Sequence, residues 1–450
     1  MSGKLIFTNK DHLFAEREVF ASLRMPGAKK LKVSKEAFDQ FKGFGVAITP
    51  SSCYELSLME PDKRKSLLKE IYSKEGLGLS VARVCIGSSD YSPELYSYDD
   101  HPFDVSLEYF SVKRDEKYVI PMIKEILEIN PDLYLFASPW SPPYWMKTGA
   151  SMCGGYMREQ FVDCYAEYMV KFVKAYGEHG IKISAVTPQN ESNTQQNANM
   201  PACIWHPEIE AKFIKVLHDK FLASNLDVKI WMYDHNFEDV ERVLWSLEHC
   251  EGLREACDGV AFHYYGGAIE TTAEVLRAFP DQELHFTEGG PRLTDHYDTD
   301  WCKWGLMAIK ALKTGYCSFT GWNLMLDETG GPNVGPFISL CGGFVTRDSR
   351  NGEINYSGQY KAFSHLSPYI LPESKIHPII MEEPYNFDMF RYPKNDREIE
   401  GVMIENPDGQ KVIVLVNPND HGMQTQIEIN EQLWYVELLA DSIATIIIEK

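Results

Sequence analysis

The chain has 450 residues, of which 44% are hydrophobic, 24% charged and 12% aromatic, and its net charge is −21. That composition excludes a disordered chain and leaves material for a large core. The acidic excess repels phosphate backbones and argues against nucleic-acid partners, and no apolar run approaches the ~20 residues of a membrane helix.

From residue 44 onward, short apolar runs alternate with helix-length amphipathic stretches. The runs predict strands over residues 44–48, 80–87, 133–140, 183–191, 228–236, 259–265, 283–290 and 316–325. The stretches between them predict helices over 61–74, 118–130, 160–179, 208–224, 238–250, 268–278 and 300–314. Eight β-then-α units with apolar strands are the signature of a (β/α)8 TIM barrel. An open dinucleotide-binding sheet would need a Gly-x-Gly-x-x-Gly turn after the first strand. Thr49-Pro-Ser-Ser-Cys53 stands there instead. The glycine-rich stretch 330–335 opens no helix and reads as a loop.

A last helical stretch over 357–369 stops before Pro372, and the chain then turns β-rich. Strands are predicted over 401–405, 411–416, 424–429, 433–438 and 443–449, with a turn at Pro407-Asp-Gly-Gln410. Turn chemistry at that spacing predicts an antiparallel β-sandwich, and the residues before the first barrel strand are strand-like too. The expected organisation is a catalytic barrel over 43–371 and one side β-sandwich domain built from 1–42 and 372–450. The 10 cysteines contain no C-x-x-C pair, and Cys85 and Cys317 lie inside apolar strand-like runs. Free thiols in a reducing compartment are expected. Met1-Ser-Gly-Lys-Leu-Ile-Phe-Thr8 lacks the apolar core of a leader peptide, so the expected location is cytoplasmic.

A TIM barrel carries its active site at the C-terminal ends of its strands. Two glutamates fall there, Glu191 after the fourth strand and Glu288 after the seventh, on opposite sides of the barrel mouth. Paired carboxylates among Trp, Tyr and Asn suit glycoside hydrolysis: one protonates the leaving oxygen, the other stabilises or attacks the anomeric carbon. Aromatic faces suit the apolar faces of sugar rings. The histidines show no H-E-x-x-H; His206 and Glu210 are an isolated i, i+4 pair, so neither a metal nor another cofactor is expected.

Several blocks carry a family likeness. Phe41-Lys-Gly-Phe-Gly45, Ser88-Ser-Asp-Tyr-Ser92, Ala137-Ser-Pro-Trp-Ser-Pro-Pro-Tyr-Trp-Met-Lys147 and Ala185-Val-Thr-Pro-Gln-Asn-Glu191 resemble glycoside hydrolase family 30, and so do His263-Tyr-Tyr265, Phe286-Thr-Glu-Gly-Gly290, Gly321-Trp-Asn-Leu-Met325 and Gly330-Gly-Pro-Asn333. The likeness is greatest to the glucosylceramidase branch. It implies a barrel with a side β-sandwich and a retaining mechanism in which Glu191 is the acid/base and Glu288 the nucleophile. Asn190 would bond the sugar 2-hydroxyl, Asp90 and Trp140 would hold the outer hydroxyls, and His263, Tyr265, Trp322 and Asn333 would line the same subsite. Such a mechanism requires Glu191 to be protonated at bond cleavage, so its pKa is expected to lie above that of Glu288. The chain departs from the family at Phe44-Gly-Val46, Thr49-Pro-Ser51 and Thr287-Glu-Gly289. The loop over 193–206 differs too, and it should shape the leaving-group side.

The expectation is a retaining, exo-acting β-glucosidase of glucosylceramidase type, with a glycoside, oligosaccharide or glycolipid as substrate. β-1,6-Glucanase, β-xylosidase or β-fucosidase specificity is the alternative within the family, and ceramide, another lipid or a second sugar all remain open as leaving group. Transglycosylation shares the same intermediate. A carbohydrate-binding pseudoenzyme would be expected to lack one carboxylate.

Overall fold

In the computed structural model, eight apolar segments at the predicted places form the parallel strands β1 Phe44–Ile48, β2 Val81–Ile86, β3 Tyr134–Pro139, β4 Ala185–Val186, β5 Lys229–Asn236, β6 Gly259–His263, β7 Glu283–Glu288 and β8 Ser318–Gly321. The structure describes residues 2–194, 199–336, 339–382, 397–429 and 431–449. Each strand pairs with the next in chain order and β8 returns to β1, so the sheet closes into the expected barrel. Every residue of β1, β2 and β6 is buried. Closure brings β1 against β2 so tightly that a Cβ at Gly45 would lie 2.1 Å from the Val81 carbonyl oxygen. Only glycine fits there.

Three strands depart from regularity, β7 by a register shift against β6 between Phe286 and Glu288. β4 keeps only two ladder residues, because Pro188 follows and has no N–H to continue the pairing. In β5 the register against β6 breaks between Tyr233 and His235, and Tyr233 and Asp234 adopt φ of 77° and 53°. Left-handed backbone is uncommon for residues other than glycine, and such a bulge re-aims the side chains that follow it.

Around the barrel run helices Pro61–Tyr72, Val119–Ile129, Val162–Glu178, Pro207–Ala223, Val240–His249 and Ala273–Ala278, within about five residues of their predicted bounds. An unpredicted helix, Pro50–Ser57, follows β1 directly. Thr49 caps it by accepting from the Ser52 N–H, with Pro50 in the first turn, a start signal that the sequence carries in Thr-Pro. Low in the barrel interior, Val81, Phe136, Ala185, Trp231 and Ala261 form an apolar cluster, and the His285 ring stacks on Trp231 at 3.5 Å.

Chain contacts separate Phe44–Thr294 with Cys317–Asn355 from a second unit of Met1–Gly43, Asp295–Tyr316 and Tyr356–Lys450. Helix Trp301–Thr314 therefore groups with the chain ends rather than with the 43–371 stretch that the sequence reading assigned to the barrel. Gly305 permits this: a Cβ there would meet Ile443 at 2.9 Å and Val416 at 3.1 Å. Among the described residues of the second unit nine strands close a ring, in the order Ser2–Asn9, His12–Ser22, Gln432–Leu438, Met423–Ile429, Lys29–Val33, Lys375–Met381, Glu400–Glu405, Lys411–Asn417 and Ser442–Ile448. The chain ends thus build one β domain. Its described pairs are antiparallel except Lys29–Val33 with Met423–Ile429, which is parallel. Strand Lys375–Met381 escapes the sequence pattern because Pro378 sits in its middle. All ten cysteines are unpaired, and among the described residues no helix is long and apolar enough to cross a membrane.

Candidate active site

Two residues beyond the apolar cluster, the interior of the same strands turns polar. Arg83, Ser138, Thr187, His263 and Thr287 follow Val81, Phe136, Ala185, Ala261 and His285 at the strand period of two. On β5 the bulge makes the step three, from Trp231 to Asp234. Arg83 is completely buried, and a buried charge persists only when paired and hydrogen-bonded. Its Nη2 donates to Asp234 Oδ2 and to Asn190 Oδ1, each at 2.8 Å. Nε donates to Ser138 Oγ at 3.1 Å, and Nη1 donates to Glu288. The guanidinium also lies 4.7 Å from the Trp140 ring centre and 5.5 Å from that of Trp322.

Asp234 is the second hub. It accepts from Ser138 at 2.9 Å, Thr187 at 2.7 Å and Thr287 at 2.6 Å, and faces His263 Nε2 at 3.0 Å. Burial pushes its carboxyl up, but the Arg83 charge and the bonds from His263 and Thr287 outweigh burial and hold it far below the usual range.

Glu191 and Glu288 meet over this layer. One oxygen of each and one ring nitrogen of His263 lie within 4.8 Å of one another, compatible with the ~5–5.5 Å carboxyl separation of retaining glycosidases. Tyr265 Oη donates to Glu288 Oε1 at 2.9 Å. Glu191 Oε1 lies 3.5 Å from His263 Nδ1 and 3.7 Å from His235 Nε2, while its Oε2 accepts from Thr194 at 3.3 Å. Glu191 itself is left-handed, with φ 53°, and its N–H donates to the Asp234 carbonyl at 2.8 Å.

The protonation order differs from the expected one. Burial and the charge of Glu191 push Glu288 above the usual carboxylate value, despite His263, Arg83 and Tyr265. Burial also pushes on Glu191, but the bond from His263 and the nearby His235 more than offset it and hold Glu191 below its usual value. Burial likewise opposes the His263 charge, yet Glu288, Asp234 and Glu191 raise its pKa to about 9. The sequence expectation that Glu191 lies above Glu288 is therefore reversed in the free site, because an imidazolium from another strand sits against Glu191.

The cavity above these groups measures about 170 Å³, below the ~300–1,000 Å³ of pockets that engulf drug-sized ligands. Asp90, Trp140, Asn190, Glu191, Tyr265, Glu288 and Trp322 all line it. His263 lies against Glu191 and is itself fully buried. Asn333 stands on the loop after β8, which docks on the Asp90 segment through Val334 N–H to the Asp90 carbonyl at 2.8 Å. Asp90 Oδ1 and Asn333 Nδ2 are buried without a protein partner. The Trp140 and Trp322 rings stack on each other at 5.1 Å. Of the loop over 193–206, Met200 lines the cavity, and residues 195–198 lie outside the described residues.

Arg83, Asp234 and His235 were not singled out from sequence as site residues. Arg83 hides inside Val81-Ala-Arg-Val-Cys-Ile86, yet a lone arginine in a buried strand demands an anionic partner, and that demand was the available signal. Tyr91, Arg292 and Cys341 also line the cavity without having been expected there. Glu191, His263 and Glu288 could each offer one atom to a metal ion. An ion at their centre would stand beside the Arg83 guanidinium, which already neutralises Glu288.

Comparison with known proteins agrees with this geometry. Residues 41–340 match the family model described as the glycosyl hydrolase family 30 TIM-barrel domain. The chain is 28% identical to mouse lysosomal acid glucosylceramidase over 85% of its length and 76% of that protein's. It is 26% identical to an endo-1,6-β-D-glucanase of Neurospora crassa, over 90% of its length and 84% of that protein's. The crystal structure of SrfJ from Salmonella typhimurium superposes with a TM-score of 0.89 at 25% identity, covering both chains completely.

Proposed function

The chain belongs to glycosyl hydrolase family 30 and is a glycoside hydrolase, and on that premise we propose that it is a retaining, exo-acting β-glucosidase of glucosylceramidase type. One observation carries the reading: two carboxylates face each other within 4.8 Å across a small cavity lined by Trp140, Trp322 and Asp90. Glu288, aligned by Arg83 and Tyr265, attacks the anomeric carbon while Glu191 protonates the departing oxygen. Glu191, then ionised, takes a proton from the water that releases the sugar. Arg83 occupies the Asn190 carbonyl oxygen, which leaves the Asn190 amide nitrogen to donate to the sugar 2-hydroxyl. Asp90 Oδ1 and Asn333 Nδ2, lacking protein partners, are available to outer hydroxyls.

The reactive state needs a proton on Glu191 and none on Glu288. In the free site the two carboxyls are shifted the other way, Glu288 up and Glu191 down, so bound substrate must favour the reverse order. His263, whose Nε2 is held by Asp234 at 3.0 Å, stands 3.5 Å from Glu191 through Nδ1. The small cavity favours one terminal sugar over a chain threaded through a cleft. Endo-β-1,6-glucanase activity is the second reading, and the Neurospora crassa relative favours it. A ceramide leaving group, and with it a place in sphingolipid breakdown, is supported by the mouse relative. The unpaired cysteines support a reducing, cytoplasmic location.

The test is a panel of p-nitrophenyl β-glycosides, with glucosylceramide and β-1,6-glucan, assayed beside Glu288→Gln. Release of glucose from the glucoside and the lipid, lost in the variant, is the expected result. Oligosaccharides from β-1,6-glucan with no turnover of the glucoside would replace this reading with the endo-glucanase.

A further inference from the structure

Three non-glycine residues with left-handed backbone lie around the acid/base: Glu191, Tyr233 and Asp234, with φ of 53°, 77° and 53°. Strained backbone of this kind persists only where its surroundings over-determine it. Tyr233 is the last residue in register with β6 before the bulge leaves Asp234 unpaired, and its buried N–H takes a side-chain acceptor. Glu210, in the first turn of helix Pro207–Ala223 and 2% exposed, provides it: Oε1 accepts from Tyr233 N–H at 2.8 Å. Its other oxygen pairs with Arg242 Nη2 at 2.6 Å, and the same nitrogen donates to the Trp205 carbonyl at 2.8 Å.

From these bonds the chain of contacts runs straight to the catalytic carboxyl. Trp205 N–H donates to the Ser192 carbonyl at 2.7 Å, and Glu191 N–H donates to the Asp234 carbonyl at 2.8 Å. Ser192 Oγ donates to the Tyr233 carbonyl at 3.2 Å. The backbone of Glu191 is thereby held from both sides, by the bulge and by Trp205, and both sides end on one ion pair, that of buried Glu210 with half-buried Arg242. The i, i+4 spacing of His206 and Glu210 has its explanation here in a structural carboxylate facing the barrel wall.

We propose that Glu210, with Arg242, is a positioning pair for the acid/base, fixing the backbone turn that presents Glu191 to the leaving-group oxygen. Neither residue touches the cavity, so the pair acts through geometry alone. The Asp234 carboxylate keeps its bonds from Arg83, Ser138, Thr187 and Thr287 without Glu210, so nucleophile alignment is largely independent of the pair. The loss is confined to the step in which Glu191 gives its proton.

This inference rests on the glycosidase reading, and wild-type turnover of an activated dinitrophenyl β-glucoside tests that reading first. Glu210→Leu should then lower kcat/KM for an alkyl β-glucoside about 10²-fold, the scale of a small misplacement, while the dinitrophenyl glucoside loses far less. Glu210→Gln retains an acceptor for Tyr233 N–H and should return the ratio of the two rates to near the wild-type value. Should Glu210→Leu fail to fold, Arg242→Met, which frees Trp205 but keeps the Tyr233 bond, should shift the ratio in the same direction. A readout needing no substrate is the carboxyl titration of Glu191 by carbon-13 NMR. Loosening Glu191 from His263, His235 and Thr194, with Glu288 opposite, should raise its midpoint in the variant. Equal losses on both substrates, together with an unmoved Glu191 titration, would overturn the proposal and leave Glu210 a stabilising residue only.

Discussion

Two layers of the barrel interior, set on the same strands two residues apart, solve opposite problems. The lower one, Val81, Phe136, Ala185, Trp231 and Ala261, fills space with apolar side chains. The one above, built on Arg83, Asp234 and His263, carries buried charges that are costly unless each is paired. Apolar surface tolerates change in proportion to the volume lost, whereas an ionic layer fails as a unit when one partner goes. The β5 bulge marks the transition, because it lets Asp234 rather than Tyr233 enter the ionic layer.

The largest effect should come at the top of the ionic layer. Glu191→Ala should slow glycosides with poor leaving groups by about 10²–10⁴-fold, the usual range for general acid catalysis. Activated aryl glycosides should suffer far less, and azide should partly restore the variant as the β-glycosyl azide. An α-azide would contradict double displacement. Next, Arg83→Met leaves the buried Asp234 and Glu288 with only the His263 charge facing them. A stability loss of about 3–5 kcal/mol is expected, together with lost turnover, measured by urea unfolding and steady-state rates. Trp231→Ala in the layer below should cost a similar ~3–5 kcal/mol yet leave kcat nearly intact in the folded fraction. Similar stability losses with opposite catalytic outcomes would sharpen the contrast; catalytic collapse in Trp231→Ala would break it.

The smallest effect is a pH dependence of stability. His263 rises from ~6.5 unfolded to about 9 folded. Its contribution is therefore complete below pH ~6.5 and lost as pH climbs through about 9, roughly 3 kcal/mol at most. Unfolding free energies measured from pH 6 to 10 should show wild type losing more than His263→Asn across that window.

The barrel was legible because strands buried on both faces must be apolar runs, and Glu191 and Glu288 because carboxylates at strand ends among aromatic residues stand out. What escaped reading depends on neighbours distant in sequence. Arg83 looks like an interruption of a strand until Asp234 and Glu288 arrive from β5 and β7. Counting by twos along β5 would turn Tyr233 inward, and nothing local announces the bulge that corrects it. The protonation order was missed for the same reason, since His263 and His235 reach Glu191 from β6 and β5. Pro50–Ser57 is different: its Thr-Pro start was present in the sequence and went unread.

The central claim is that Glu288 forms a covalent glycosyl intermediate and Glu191 resolves it. The most direct measurement is proton NMR of the first sugar released from an aryl β-glucoside, recorded before mutarotation. The account predicts the β-anomer; initial release of the α-anomer would contradict it.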